Sequence, residues 1–351
     1  MEIPRYRQIF LTLQNDIAAG RYQADRKFPS EASLVKRFSA SRITVGRAVR
    51  ELQQIGLVDR IAGSGTYVRS ARVLESPVFG LIIPNLGETE IFEPICRAIA
   101  AAPEGANHAL LWPQGNDAVE LARQCVSRSV AGVFFAPIEM VTESHSINRQ
   151  VLKILRDAAI PVVLLDRRPD DVSPRDHFDL VGIDNHRAGF LAAAHLLQLG
   201  ARRIAFVAYR GQALTVRARV QGYRDALADL DHRPPHVFYL NPERPLETTA
   251  GFDAFVCAND RVAGRLMHAL LARGVRIPQD VRIVGIDDVN YAALLPIPLT
   301  TIHQPCRELG ETALRLMLDR LDHPHMPARD VLLDCSLVVR QSCGAVNPVE
   351  R

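Results

Sequence analysis

Two rhythms of apolar and polar positions divide this chain. Up to about residue 56 apolar side chains return every three or four positions; from Val78 onward they come in short unbroken runs separated by helical stretches. In the first region Tyr6, Ile9, Phe10, Leu13 and Ile17 share one face, so residues 5–19 predict an amphipathic helix with Gly20 as its stop. Pro29-Ser30 opens a second helix, with Ser30 as N-cap and Leu34, Val35 and Phe38 facing inward. A tight break at Ser39-Ala40 leads to Ser41, the N-cap of a third helix. Its core stripe is Val45, Ala48, Val49, Leu52 and Ile55, and Gly56 ends it. The stretch "GLVDRIAGSGTYV" then reads as two short strands about a Gly-Ser-Gly turn. Helix, helix, short turn, helix and hairpin make the layout of a winged helix-turn-helix.

Beyond Val78 the runs "VFGLIIPN", "HALLWP", "AGVFFAP", "IPVVLLD", "LVGID", "RIAFVA", "HVFYL", "DAFVCAND" and "VRIVGID" predict about nine strands, many of them β-branched. Stretches such as "NHRAGFLAAAHLLQLG" and "RVAGRLMHALLARG" lie between them as helices. This alternation predicts an α/β domain with parallel sheets and helices on both faces. Nine strands over some 270 residues suit two lobes better than one sheet. The expected organisation is a winged helix-turn-helix domain over 1–70, a linker over 71–77 and a two-lobed domain over 78–346. One lobe is expected to comprise 78–174 with 300–327, the other 175–299 with 328–346.

Composition narrows the function classes. The 351 residues are 48% hydrophobic, yet no stretch approaches 18 uninterrupted apolar residues, which argues against a membrane span. The first twenty residues carry charge every few positions and do not read as a signal peptide, so a cytoplasmic protein is expected. The six cysteines form no CxxC pair and sit mostly in apolar runs, which favours buried free thiols over disulfides or zinc. A net charge of +3 hides an asymmetry: residues 1–72 hold 13 Lys and Arg against 6 Asp and Glu, whereas the remainder is mildly acidic. A basic first fifth is the footprint of a module that meets a polyanion.

Outside its core stripe the third helix leaves Arg42, Ile43, Thr44, Gly46, Arg47 and Arg50. In a helix-turn-helix the first residues of this helix enter the major groove, where Arg pairs bidentately with guanine and hydroxyls meet phosphates. The order "PSE", then "SRITV", then "GSGTYV" resembles the DNA-binding domain of GntR-type bacterial regulators over residues 5–68. That resemblance implies contacts to double-stranded DNA from Ser41, Arg42, Thr44 and the wing at Gly63, Gly65 and Thr66. Ser30, Ile43, Arg47, Arg50 and Ser64 complete the candidate face. Many members of the family carry Arg directly after the TV pair, where this chain has Gly46.

In the second region polar residues follow strands, where ligands bind in parallel α/β folds. Asn85, Asp166, Asp184, Asn259-Asp260 and Asp287-Asp288 all do so. Taken singly, each reads first as a helix N-cap, and only together do they suggest a polar cleft. "IPVVLLDRRPD", "VGIDNHRAGFLAAAHLLQLGARRIAFV", "RARVQGYRDAL", "FVCANDRVAGRLMHALLARGVRIPQDVRIVGIDD", "LTTIHQP" and "LVVRQSC" resemble, in order, the effector domain of LacI/GalR-type repressors. The resemblance implies a periplasmic-binding-protein-like fold and effector contacts from Asp166, Arg219, Asn259 and Asp287, to which Asn85 and Phe92 are added. Two carboxylates that accept, with a guanidinium and an amide that donate, suit a neutral sugar and disfavour a sugar phosphate. Tyr209 and Trp112 are further candidates for an apolar wall.

Two departures stand out. The segment "NPERPLETTAGFDA" is too short for the helix that the family carries there, and "VRSARVLESPV" lacks the family's small-residue hinge helix. The expected function is a homodimeric repressor on an operator of two-fold symmetry, controlled by a small sugar, with no cofactor, no metal and no catalysis. A sensor that answers to a protein partner or a non-sugar metabolite is the alternative. "GIDD" and the "HPH" of residues 323–325 are the weak pointers toward an enzyme.

Overall fold

The computed structural model describes residues 4–18, 21–22, 27–54, 57–61, 64–68, 77–84, 90–102, 108–139, 144–169, 178–209, 213–230, 234–240 and 251–345. The chain divides into two compact units, Met1–Pro77 and Val78–Arg351.

In the first unit the capping residues set the helix starts. The Ser33 N–H donates to Ser30 Oγ at 3.2 Å, opening α2 (Glu31–Phe38), and the Thr44 N–H donates to Ser41 Oγ at 3.2 Å, opening α3 (Arg42–Gln54). Ser39, in the left-handed region at φ 47°, turns the chain between them. Helix α1 (Arg5–Ala18) packs on α3, and β1 (Val58–Ile61) pairs antiparallel with β2 (Gly65–Val68). Ile9, Phe10, Leu13, Ile17, Phe28, Leu34, Val45, Ala48, Val49, Leu52, Val58 and Val68 form one buried cluster. Asp16, buried on α1, accepts from Arg21 at 2.9 Å and from Arg37 of α2 at 2.5 Å, so the ion pairs tie α1 to α2. Gly20, Ile55 and Gly56 lie outside the described residues, as do residues 71–76 of the expected linker.

The second unit holds two six-stranded sheets. One has the order β13-β7-β6-β5-β3-β4: Asp330–Leu333, Asp179–Ile183, Val162–Leu165, Gly132–Phe135, Val78–Ile82 and Ala109–Leu111. The other has the order β14-β12-β11-β10-β8-β9: Ser336–Val338, Thr300–His303, Arg282–Asp287, Ala254–Cys257, Ile204–Tyr209 and His236–Leu240. All neighbours run parallel except β14, which is antiparallel to β12. The helices are α4 (Phe92–Ala101), α5 (Ala118–Ser127), α6 (Ser144–Asp157), α7 (Asn185–Gln198), α8 (Leu214–Leu230), α9 (Asp260–Leu271) and α10 (Cys306–Asp322).

The lobes differ from the expected division at three places. Strand β7 lies in the first sheet, paired on both sides with β6 and β13, although residues from 175 were expected in the second lobe. Strand β12 pairs with β11 in the second sheet, although 300–327 were expected in the first. Strand β13 returns to the first sheet, although 328–346 were expected in the second. The physical reason is partner choice: a short apolar strand fits either sheet, and only its hydrogen-bonded neighbours decide. The chain therefore crosses between lobes after β7, after β12 and again between β13 and β14.

Helices α7 and α8 cross at backbone contact through two glycines. A Cβ at Gly222 would fall on the carbonyl of His186, and one at Gly189 on the carbonyl of Arg219. This crossing carries Asn185 and Arg219 to the same place.

Candidate functional site

The first unit presents α3 and the β1–β2 hairpin as one basic surface. Arg42 opens α3 with its side chain 85% exposed, lying 3.6 Å from Glu31; Arg60 of β1 lies 3.8 Å from the same carboxylate. Ser41 Oγ also bonds the Thr44 hydroxyl at 2.8 Å. Arg47 leans toward α1, its guanidinium 3.8 Å from the centre of the Tyr6 ring and 3.6 Å from Glu51, while Arg50 is exposed. At the hairpin, Ser64 Oγ and the Tyr67 hydroxyl bond at 2.7 Å, and the Phe28 N–H donates to the Thr66 carbonyl at 2.7 Å. Gly65 takes φ +129°, and Lys27 lies over it so closely that a Cβ there would sit 2.6 Å from Lys27 Cε. Gly63 lies outside the described residues. Lys27 and Arg60 were not singled out from the sequence; what marks them is only their charge beside the wing.

In the second unit the polar residues converge at the carboxyl ends of β6 and β11. Arg219, buried on α8, donates from Nε to Asn185 Oδ1 at 2.7 Å and from Nη1 to the Ala258 carbonyl at 2.6 Å, and lies 3.3 Å from Asp287 Oδ1. Asp287 Oδ1 also accepts from Gln304 Nε2 at 2.7 Å. Burial pushes the Asp287 carboxyl up to about 6; Arg219 and Gln304 pull it down, and Asp166 and Glu90 push it further up. Asp166 comes from the other lobe, where Arg167 lies 3.2 Å from its Oδ2 and itself donates to Glu139 at 2.6 Å. Glu90 and Arg261 of α9 pair across the lobes at 3.4 Å.

Two features set this place apart. Asp166 and Asp287 hold φ of 68° and 123°, conformations that a non-glycine residue keeps only where its surroundings impose them. Among the described residues Asp166 Oδ1, Gln304 Oε1 and the Tyr209 hydroxyl are buried with no hydrogen-bond partner. Such atoms are costly to leave unpaired, by roughly 1–3 kcal/mol each. Asp166 Oδ1 and Gln304 Oε1 are thus two acceptors without donors, and Gln304 reaches Asp287, the carboxylate that Arg219 also meets.

The other sequence candidates are placed differently. Asn259 is the N-cap of α9, its Oδ1 accepting from the Val262 N–H at 2.9 Å, and Asp184 caps α7 in the same way through Arg187. Phe92 is buried in the core at the start of α4, with Arg167 5.6 Å from its ring centre. Trp112 follows β4, the edge strand, three positions along the sheet from β6. Asn85 and residues 241–250 of the short segment lie outside the described residues. Asp287 and Asp288 diverge: Asp288 binds His303 at 2.9 Å and Arg340 at 2.6 Å. Gln304, Arg167 and Asn185 were missed, and the available signal was the one used for the aspartates, a polar residue just past a strand. Five of the six cysteines are buried and all are free. Among the described residues no group of three or more His, Cys, Asp or Glu could hold a metal, and no helix is long and apolar enough to cross a membrane.

Comparison with known proteins adds two domain matches. Residues 5–68 match the profile of the bacterial regulatory proteins, gntR family, and residues 193–343 that of the periplasmic binding protein-like domain. The chain is similar to the arabinose metabolism transcriptional repressor of Geobacillus stearothermophilus, 27% identical over 97% of this chain and 98% of that one. The HTH-type transcriptional repressor PurR of Aliivibrio salmonicida (strain LFI1238) is 31% identical over 56% of this chain and 61% of its own length. Among solved structures, a LacI family transcriptional regulator from Enterococcus faecium with bound ribose aligns with a TM-score of 0.63 at 25% identity, covering 76% of this chain and 98% of that one.

Proposed function

We propose that this chain, which joins a gntR-family domain to a periplasmic-binding-protein-like domain, is a transcriptional repressor whose hold on its operator is set by a small neutral sugar bound between the lobes. The observation that carries this reading is the set of unpartnered acceptors, Asp166 Oδ1 and Gln304 Oε1, beside Arg219 and Asp287. A ring hydroxyl both donates and accepts, so a polyol satisfies all of these groups at once. A phosphate could accept from Arg219 but would face Asp166 and Asp287 at close range. The arabinose repressor and the ribose-bound regulator make a pentose the first candidate.

In this reading the first unit makes the operator contacts. Arg42 reads a base edge, the Ser41–Thr44 helix start meets phosphate, and the wing with Lys27 tracks the backbone. The protein acts as a homodimer, so its operator has two-fold symmetry. It works in the cytoplasm and catalyses nothing. A sugar held by Asp166 of one lobe and by Arg219 and Asp287 of the other binds the closed arrangement better than the open one, and shifts the population accordingly. Closure alters the fit of the two basic units to adjacent half-sites and releases the DNA.

The test is a thermal-unfolding screen of the full chain against pentoses, hexoses, disaccharides and sugar phosphates, followed by operator binding with any hit. A sugar at about 100 times its dissociation constant adds about 2.7 kcal/mol of stability. The expected hit is a neutral pentose that also weakens operator binding. A hit confined to sugar phosphates, or none at all, refutes the effector assignment.

A further inference from the structure

The exposed face of α3 carries one side chain that charge does not explain. Ile43 is 81% exposed, far more than any other large apolar side chain among the described residues of the first unit. An isolated exposed Ile on a protein surface needs no explanation, but this one is the second residue of the helix that a helix-turn-helix inserts into the major groove. Its surroundings are kept bare. One turn on stands Gly46, where a Cβ would meet nothing nearer than the Glu31 carboxylate at 3.9 Å. Arg47, the next residue on that face, is drawn aside to Tyr6 and Glu51. Arg42, beside Ile43 in the chain, projects freely enough to reach a base.

Base-pair edges in the major groove offer hydrogen-bonding groups with one apolar exception, the C5-methyl of thymine. We infer that Ile43 is a specificity-determining residue that packs on a thymine methyl in each half-site, next to the base read by Arg42. Gly46 makes the contact possible: with no side chain there, the helix approaches the groove floor closely enough for a branched four-carbon side chain to reach it. The inference rests on the reading of the first unit as an operator-binding module.

The experiment uses the full-length protein and an operator enriched from a random duplex library. Each thymine is then replaced in turn by deoxyuridine, which removes the methyl and leaves every hydrogen-bonding group in place. Loss of one buried methyl per half-site corresponds to about fourfold, or about 15-fold for a symmetric pair. Wild-type protein should therefore lose about 15-fold at one symmetry-related thymine pair. The Ile43→Ala variant should bind thymine and uracil operators alike, at the wild-type affinity for the uracil form, with an unchanged salt dependence. Ile43→Val should keep part of the discrimination. An operator indifferent to uracil at every position, or lacking thymine in the half-sites, overturns the inference, as does an Ile43→Ala variant that still discriminates. Failure to enrich any duplex strikes instead at the operator-binding reading itself.

Discussion

Replacing Asp287 by Asn should stabilise the ligand-free protein while abolishing its response to sugar. The carboxyl is pushed from its ordinary value near 3.8 to about 6 by burial, and that figure already contains the attraction of Arg219 and the hydrogen bond from Gln304. At about 1.4 kcal/mol per pH unit, keeping Asp287 ionised at pH 7.5 costs the folded state about 3 kcal/mol. An amide keeps the shape, still accepts from Gln304 Nε2 and carries no charge to desolvate. The pH signature follows in sign. A group that binds its proton more tightly in the folded state supports stability below the unfolded value, and that support is lost as pH rises from about 4 through 6. The midpoint of ligand-free wild-type protein should therefore fall between pH 5 and pH 7.5, and that of Asp287→Asn should fall less. At pH 7.5 the variant should melt about 5–10 °C above wild type. Thermal unfolding of both proteins at the two pH values, with and without the sugar, is the assay. The opposite view treats Arg219–Asp287 as a net-stabilising pair, whose disruption costs about 3–5 kcal/mol. A variant that melts below wild type at pH 7.5 would refute the reasoning.

Other substitutions test other parts of the molecule. Gly222→Ala drives a Cβ into the His186 carbonyl and should cost at least about 3 kcal/mol in urea unfolding, because the α7–α8 crossing has no flexible side chain to yield. Gly46→Ala has room for its methyl and should stabilise the first unit by up to about 1 kcal/mol through helix propensity, read in a thermal melt of the full chain. Arg42→Ala should reduce the preference for operator over random duplex by tenfold or more while sparing the sugar-induced thermal shift. Wild-type operator affinity should fall by orders of magnitude between about 50 and 200 mM salt in a fluorescence titration.

Local chemistry was the most legible part of the sequence. Ser30, Ser41, Asp184 and Asn259 could be read as caps because a side-chain acceptor three residues before a free N–H is a matter of a few bonds. The same economy limits the reading of Asn259, whose oxygen already accepts from Val262 and whose two amide hydrogens are the groups left over for a ligand. Strand membership was less legible. Strands β7, β12 and β13 are too short for their pattern to say which sheet claims them; β7 and β12 pair with the strand just before them, whereas β13 pairs with β7, far back in the chain. The convergence of Asp166, Arg219 and Asp287 depends on two separate sheets and on a glycine crossing, so no spacing along the chain announces it. Gln304 escaped notice because a buried amide beside a strand end looks like any loop residue until its oxygen is found without a partner.

The triple crossing between lobes has a consequence for synthesis. The first lobe begins at β3, but its edge strand β13 is made only after some 150 further residues have followed β7. At about 5–20 residues per second, ribosomes leave that edge of β7 open for roughly 8–30 s. An exposed edge strand invites pairing with other chains, so newly made chains should be most vulnerable to chaperone capture and proteolysis during this interval. Among the described residues, the cluster of the first unit is made of side chains no later than Val68. It can therefore emerge and reach nucleic acid while the sensor that governs it is still incomplete.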